Sequence, residues 1–258
     1  MKKTEKKVDS KDSFLPTRVS SFDKMINAGG VEGGSTILVS GGCGSGKSVF
    51  VTQSAYNGAM NGEKVVYFTF DETPERVKKH ALNNFGWDLA ALEKKGNLSM
   101  KKIDPYDIAR SIENSVREKS MEDVIESVHS VHKEMSEVTM PFHPDRVIID
   151  SLSALSVAFS DKMKYRAYLT VLFDSLRSYN SVNLVTTEAM EEPTVYSRTG
   201  VEEFLVDGVI VMYNIRRDSV RTRALEILKL RFSDHMKKLV PFKITNNGIV
   251  IYLEEQVF

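Results

Sequence analysis

Thr36-Ile37-Leu38-Val39-Ser40-Gly41-Gly42-Cys43-Gly44-Ser45-Gly46-Lys47-Ser48 is the stretch whose reading decides the fold. Thr36–Ser40 is short, apolar and bounded by glycine, which predicts a buried strand. Gly41, Gly46, Lys47 and Ser48 then satisfy the phosphate-loop pattern G-x-x-x-x-G-K-[ST]. Lys47 to Met60 continues as a helix, which Gly62 helps to end. Glycines let the backbone turn so tightly that successive N–H groups aim at phosphate oxygens. The helix places its positive end at the same point. The expected phosphate-contacting set is therefore Gly41, Gly42, Cys43, Gly44, Ser45, Gly46, Lys47, Ser48 and Val49. Lys47 would reach the terminal phosphates, and the Ser48 hydroxyl would ligate Mg2+. A chain of 258 residues meets this pattern by chance roughly once in a hundred.

Working outward, apolar β-branched runs alternate with helical stretches. Val65–Phe70, Arg146–Asp150 and Val182–Thr187 read as further buried strands. Thr73–Asn84 reads as a helix capped by Thr73 with Pro74 in its first turn. Asp88–Lys95 is a short helix ended by Gly96, and Asp107–Val138 a polar helical region outside the sheet. Lys162–Tyr179 carries Tyr165, Leu169, Leu172, Phe173 and Leu176 at helical spacing. From Gly208 the pattern changes to strands at 208–214, 223–231, 240–245 and 248–253, with a turn at Asn246-Asn247-Gly248. The fold class is α/β: a mostly parallel sheet flanked by helices, with C-terminal antiparallel strands at one edge. Residues 1–13 read as a solvated, mobile polar tail, and 14–258 as one domain.

Strand ends carry the next candidates, because ligands gather at the carboxyl ends of such strands. Asp150 ends its strand where a carboxylate orients a water on Mg2+. Asp71 and Glu72 follow Val65–Phe70, and either could take a proton from, or position, an attacking water. Glu72 is read as the base and Asp71 as lying near the metal; a helix-capping pair is the plainer alternative. Thr186, Thr187 and Glu188 are candidates for sensing a γ-phosphate or an ordinary polar loop entrance.

Composition narrows the class. Lys plus Arg is 35 and Asp plus Glu 35, so broad attraction to nucleic acid is not implied and only a local basic patch would supply it. Cys43 is the single cysteine, which excludes an internal disulfide and fits a reducing compartment. No apolar run reaches the length of a membrane span, and the start lacks a signal-peptide core, so the expected location is the cytoplasm.

Several motifs in order resemble the KaiC family of RecA-superfamily ATPases over about residues 15–253. They are Phe22-Asp23-Lys24-Met25-Ile26 with Gly29-Gly30 and Gly33-Gly34-Ser35; Phe70-Asp71-Glu72-Thr73-Pro74; Phe85-Gly86-Trp87-Asp88-Leu89; and Ile149-Asp150-Ser151-Leu152-Ser153. Farther on come Thr186-Thr187-Glu188, Gly200-Val201-Glu202-Glu203-Phe204, Leu225 to Arg231, and His235-Met236-Lys237. The resemblance implies ATP as ligand and a homo-oligomeric ring, commonly hexameric, with nucleotide at each subunit junction. It implies that Lys229 and Arg231 reach the neighbour's phosphates. They alternate on a predicted strand and so share a face. Leu230 lies between them, and Ser233, His235, Thr245 and Asn246 match positions that line the neighbour's nucleotide. Asn84 and Phe85 match the region beside the base. Phe232 stands where the family usually has Gly, and the paired phosphorylation residues of the clock protein's second domain have no counterpart. A regulatory or assembly protein is an expected partner of unidentified kind.

Three function classes compete. The leading one is an ATP-hydrolysing ring switch or motor. The second is a non-catalytic ATP-binding scaffold of the archaellum subunit type, and the third a RadA-like DNA-dependent ATPase reading DNA through 189–204 and 214–223. Arg216, Arg217, Arg221 and Arg223 flank a predicted turn and would serve the third reading or a ring surface. His129 and His132 are three apart on a predicted helix, and a metal site would need a third ligand. Trp87 is expected in the core.

Overall fold

The computed structural model describes residues 14–115, 125–130, 132, 140–189, 195–217 and 219–257. The expectation of a mobile tail and much of the predicted helical region Asp107–Val138 lie outside the described residues. Nine strands form one sheet: β3 (Thr36–Gly41), β4 (Val65–Thr69), β5 (Leu98–Lys102), β6 (Arg146–Asp150), β7 (Val182–Glu188), β8 (Gly208–Arg217), β9 (Val220–Leu230), β10 (Val240–Thr245) and β11 (Gly248–Ile251). Their order is β11-β10-β9-β8-β3-β7-β6-β4-β5, and a small pair, β1 (Phe14–Leu15) with β2 (Val31–Glu32), stands apart. β8, β3, β7, β6, β4 and β5 run parallel, and β9, β10 and β11 add antiparallel partners at the β8 edge.

Every residue of β3 and β4 is buried, as a parallel strand covered on both faces requires. Neighbours along each strand enter opposite layers. Ile37, Val39, Val65, Tyr67 and Ile148 join one core with helices Lys47–Met60, Pro74–Phe85 and Leu89–Lys94. Leu38, Val66, Phe68, Val147 and Ile149 join the other with helices Pro105–Ser115, Leu152–Ala158 and Lys162–Ser178. Trp87 is buried and stacks between Phe85 at 4.4 Å and Tyr56 at 5.7 Å, as expected of a core residue.

Boundaries shift by a few residues from those expected. The Thr73 hydroxyl accepts from the Arg76 N–H and caps Pro74–Phe85, which Gly86 ends in a left-handed conformation. β5, helix Leu152–Ala158 and the turns at Ser20–Asp23 and Glu202–Leu205 were not anticipated. At the start of β6, the fully buried Arg146 reaches Glu63 at 2.8 Å, Ser54 Oγ at 2.9 Å and the Pro16 and Thr17 carbonyls at 2.9 and 3.2 Å. That network pins the first described segment beneath the sheet.

Candidate functional site

The parallel strands end on one side, so Gly41, Asp150 and Glu188 emerge together, with Asp71 just beyond β4. Between β3 and helix Lys47–Met60, Gly46 sits at φ 105°, a left-handed conformation that favours glycine. Gly41 is required for another reason: a Cβ there would lie 2.2 Å from the Met212 carbonyl oxygen of β8. Lys47 folds back, its Nζ donating to the Gly41 and Gly42 carbonyls at 2.8 and 3.0 Å. Burial lowers its ammonium pKa, partly offset by Glu188 and Asp150. Ser45 Oγ is buried without a hydrogen-bond partner among the described residues. Cys43 is exposed.

Beside the loop opens a cavity of about 320 Å3. Ser48, Val49, Thr52 and Tyr67 line it with Asp71, Glu72 and Asp150, and Val77, His80, Ala81, Asn84 and Phe85 form its helix Pro74–Phe85 side. Asp150 is held at both oxygens. Thr186 Oγ1 donates to Oδ1 at 2.5 Å, and the Tyr67 hydroxyl to Oδ2 at 3.1 Å. Tyr67 is wholly buried, which, with Asp150 beside it, keeps its hydroxyl protonated and a donor. Thr186 is buried too, so its hydroxyl supports a carboxylate rather than facing the cavity as a sensor. Ser151 Oγ donates to Asp71 at 3.1 Å, but burial and the charges of Asp150 and Glu188 still leave the Asp71 carboxyl raised. Glu72 is 42% exposed and faces Arg76 Nε at 3.4 Å and His80 Nδ1 at 3.9 Å.

The remaining expected residues divide between two ends of the sheet. The Thr245–Gly248 turn lies on the loop's side. Ile244 Cδ1 would stand 3.1 Å from a Cβ at Gly46, and the Ile249 N–H donates to Gln53 on the loop's helix. Thr245 Oγ1 is engaged with the Gly248 carbonyl, and Asn246 is exposed. Lys229, Leu230 and Arg231 lie elsewhere. Val209 pairs with Lys229 on one side and with Leu38 on the other, three residues before Gly41. Arg231 bonds Asp207, which bonds Thr36, five residues before Gly41. At 3.3 Å per residue those offsets are about 10 and 16 Å, too far for either cation to serve its own loop. Lys229 Nζ donates to the Glu203 and Val206 carbonyls at 3.0 and 2.7 Å, and burial lowers its pKa. Ser233 and His235 follow at that far end, where His235 bridges Ile26.

Several residues here are not legible as site residues in the sequence, among them Val77, His80 and Ala81 of the cavity wall. Tyr67 was read as strand core and Thr52 as helix interior, yet both line the cavity. Arg223, read as a hairpin cation, donates to the Gly44 carbonyl at 3.1 Å and braces the phosphate loop. Among the described residues no group of three His, Cys, Asp or Glu could hold a metal. No helix among the described residues is long and apolar enough to cross a membrane.

Residues 15–256 match the family model "ATPase: KaiC". The chain belongs to the KaiC ATPase family. It is 34% identical over 239 residues to the circadian clock protein KaiC3 of Synechocystis sp., covering 92% of this chain and 45% of that one. With the circadian clock oscillator protein KaiC of Synechococcus elongatus it shares 35% over 240 residues, covering 92% and 44%. The chain thus spans about half the length of the curated relatives it matches. The crystal structure of a KaiC-like protein from the hyperthermophilic archaeon Pyrococcus horikoshii OT3 superposes with a TM-score of 0.72 at 30% identity, covering 93% of this chain and 98% of that one. Membership in the KaiC family makes this a RecA-type ATP-binding domain.

Proposed function

We propose that this KaiC-family chain hydrolyses MgATP in a closed ring of identical copies, in the cytoplasm, with each nucleotide shared by two neighbours. The observation that carries this reading is the split site. The phosphate loop and the Lys229/Arg231 pair stand at opposite ends of the sheet, so a pocket with both needs two copies placed head to tail. In that ring Gly41–Val49 cradle the phosphates, and the unpartnered Ser45 hydroxyl fits an anionic ligand. The donor set fits Mg2+. Ser48 and Asp150 line one cavity, and Tyr67 and Thr186 hold the Asp150 side chain in place by hydrogen bonds. Bound there, Mg2+ would neutralise charge on the β- and γ-phosphate oxygens. Glu72 takes the proton as water attacks the γ-phosphorus and the bond to the ADP oxygen breaks, while Asp71 supports the metal side. Lys229 and Arg231 of the next copy stabilise the charge that develops. Asn84 and Phe85 flank the base, joined by Thr245 and Asn246 on the loop's side and by Leu230, Ser233 and His235 from the next copy.

Subunit mixing tests this. Lys47→Ala loses the loop cation and Lys229→Ala the donated one, so each alone should release little phosphate. In mixed rings about a quarter of junctions regain both cations by random assortment, and turnover should return in proportion. No recovery, with both variants co-assembling, would refute the shared site. An assembled wild type without turnover would select the scaffold reading. Turnover stimulated by single-stranded DNA at low salt would select the recombinase reading.

A further inference from the structure

We propose that Phe232 is an apolar anchor by which one copy of this chain docks on the next, its ring seated against helix Pro74–Phe85 of the neighbour. This rests on the reading that Lys229 and Arg231 complete a neighbour's pocket. Phe232 follows directly after Arg231, is 67% exposed, and belongs to neither core layer. Its φ is 67°, a left-handed conformation that is strained for a residue with a Cβ and a bulky ring. The molecule therefore holds a large aromatic side chain out in solvent on a strained backbone, with nothing in its own core gained in return.

Phe232 is not an isolated exposed hydrophobic of the kind every surface carries. Phe204 is 69% exposed and stands on the turn Glu202–Leu205, beside the carbonyls that receive Lys229. Leu228, also exposed, immediately precedes Lys229. Three apolar side chains thus flank the two cations, the arrangement of an apolar contact with charged groups set into it. The cations identify the occupant. If they meet phosphates held by another copy, the surface opposite is that copy's cavity face.

On that face, helix Pro74–Phe85 walls the cavity with Val77, Ala81 and Phe85, beside the exposed His80. Such a contact joins two different patches and repeats from copy to copy around a ring. Aromatic side chains at the centre of a contact tend to carry much of its free energy.

The test sizes wild type, Phe232→Gly, Phe232→Leu, Val77→Ala and the Phe232→Gly/Val77→Ala double variant. Sedimentation velocity is run across protein concentration with Mg2+ and the slowly hydrolysed analogue ATPγS. Glycine relieves the strain at this φ, so nucleotide-free Phe232→Gly should melt at or above the wild-type temperature, which separates misfolding from lost docking. Its assembly midpoint should rise about tenfold or more, while Phe232→Leu stays within about threefold. Val77→Ala should raise the midpoint as well, and the double variant should lose less than the sum of the two, because both report one contact. A Phe232→Gly midpoint within about twofold of wild type, or strictly additive losses, would overturn the anchor while leaving the ring standing. Wild type that stays monomeric throughout would remove the shared site and the anchor together.

Discussion

Replacing Thr186 by Val, or Tyr67 by Phe, removes one of the two hydroxyls that hold Asp150, and the structure ranks the two losses. The Thr186 bond, at 2.5 Å, is at the short end for O–H···O. The Tyr67 bond, at 3.1 Å, is beyond the usual range, and that hydroxyl also lies 3.3 Å from Thr52 Oγ1. A hydrogen bond to a charged group contributes about 1.5–3 kcal/mol, with the long Tyr67 bond at or below the lower figure. Losing an outer partner of a metal-orienting group costs about 10–100-fold in metal affinity. Half-saturation by Mg2+ should therefore rise about 100-fold in Thr186→Val and about tenfold in Tyr67→Phe. Two titrations at saturating ATP check this: phosphate release, and the Mg2+-dependent rise in melting temperature, which needs no turnover. Binding of metal-free ATP should stay within about twofold of wild type, since neither hydroxyl belongs to the phosphate loop. Unchanged Mg2+ dependence, or a larger effect from Tyr67→Phe, would refute the reasoning.

Arg146→Met leaves Glu63 half-paired, the Pro16 carbonyl without its donor and the Thr17 carbonyl with the Ser54 hydroxyl alone. Breaking such a buried network costs about 3–5 kcal/mol, so the melting temperature should fall by roughly 10 °C in calorimetry. Gly41→Ala forces a Cβ into the Met212 carbonyl, and should cost about 1–3 kcal/mol in melting experiments while weakening ATP binding in titration calorimetry. His132, held down to about 4 by burial and then by His129, stays neutral in the folded protein while the unfolded chain gains a proton below its ordinary 6.5. Stability from this group is thus full above pH 6.5 and is lost on acidification towards pH 4, by about 3 kcal/mol. His132→Phe, edge-on to the same Tyr168 ring, should flatten a plot of melting temperature against pH over that window.

Signals confined to one segment were legible in the sequence; those that depend on a partner strand were not. β3, β4, β6 and β7 announce themselves because a strand covered on both faces must be apolar throughout. β5 hides because it is the parallel edge: its Leu98-Ser99-Met100-Lys101-Lys102 run buries only alternate residues and ends in lysines, which reads as loop. Leu152–Ala158 hides because it follows directly on β6 and carries two serines, weak helix formers whose place here is set by packing. Nothing local distinguishes Tyr67 from its core neighbours. Its hydroxyl matters because β4 pairs with β6, which brings Asp150 alongside from 83 residues away. Arg223 likewise reaches Gly44 across 179 residues only through the β8–β9 return.

The same strand logic carries the function. β8 runs parallel to β3, so its start lies at the end of the sheet far from the phosphate loop. β9 runs back antiparallel and delivers Lys229 and Arg231 to that far end. Had β9 paired parallel to β8, the same two cations would emerge beside their own loop, and a single copy would complete the pocket. Residue identity makes Lys229 and Arg231 capable of meeting phosphate. In the proposed ring, the direction of one strand makes that phosphate another copy's and would link turnover to assembly.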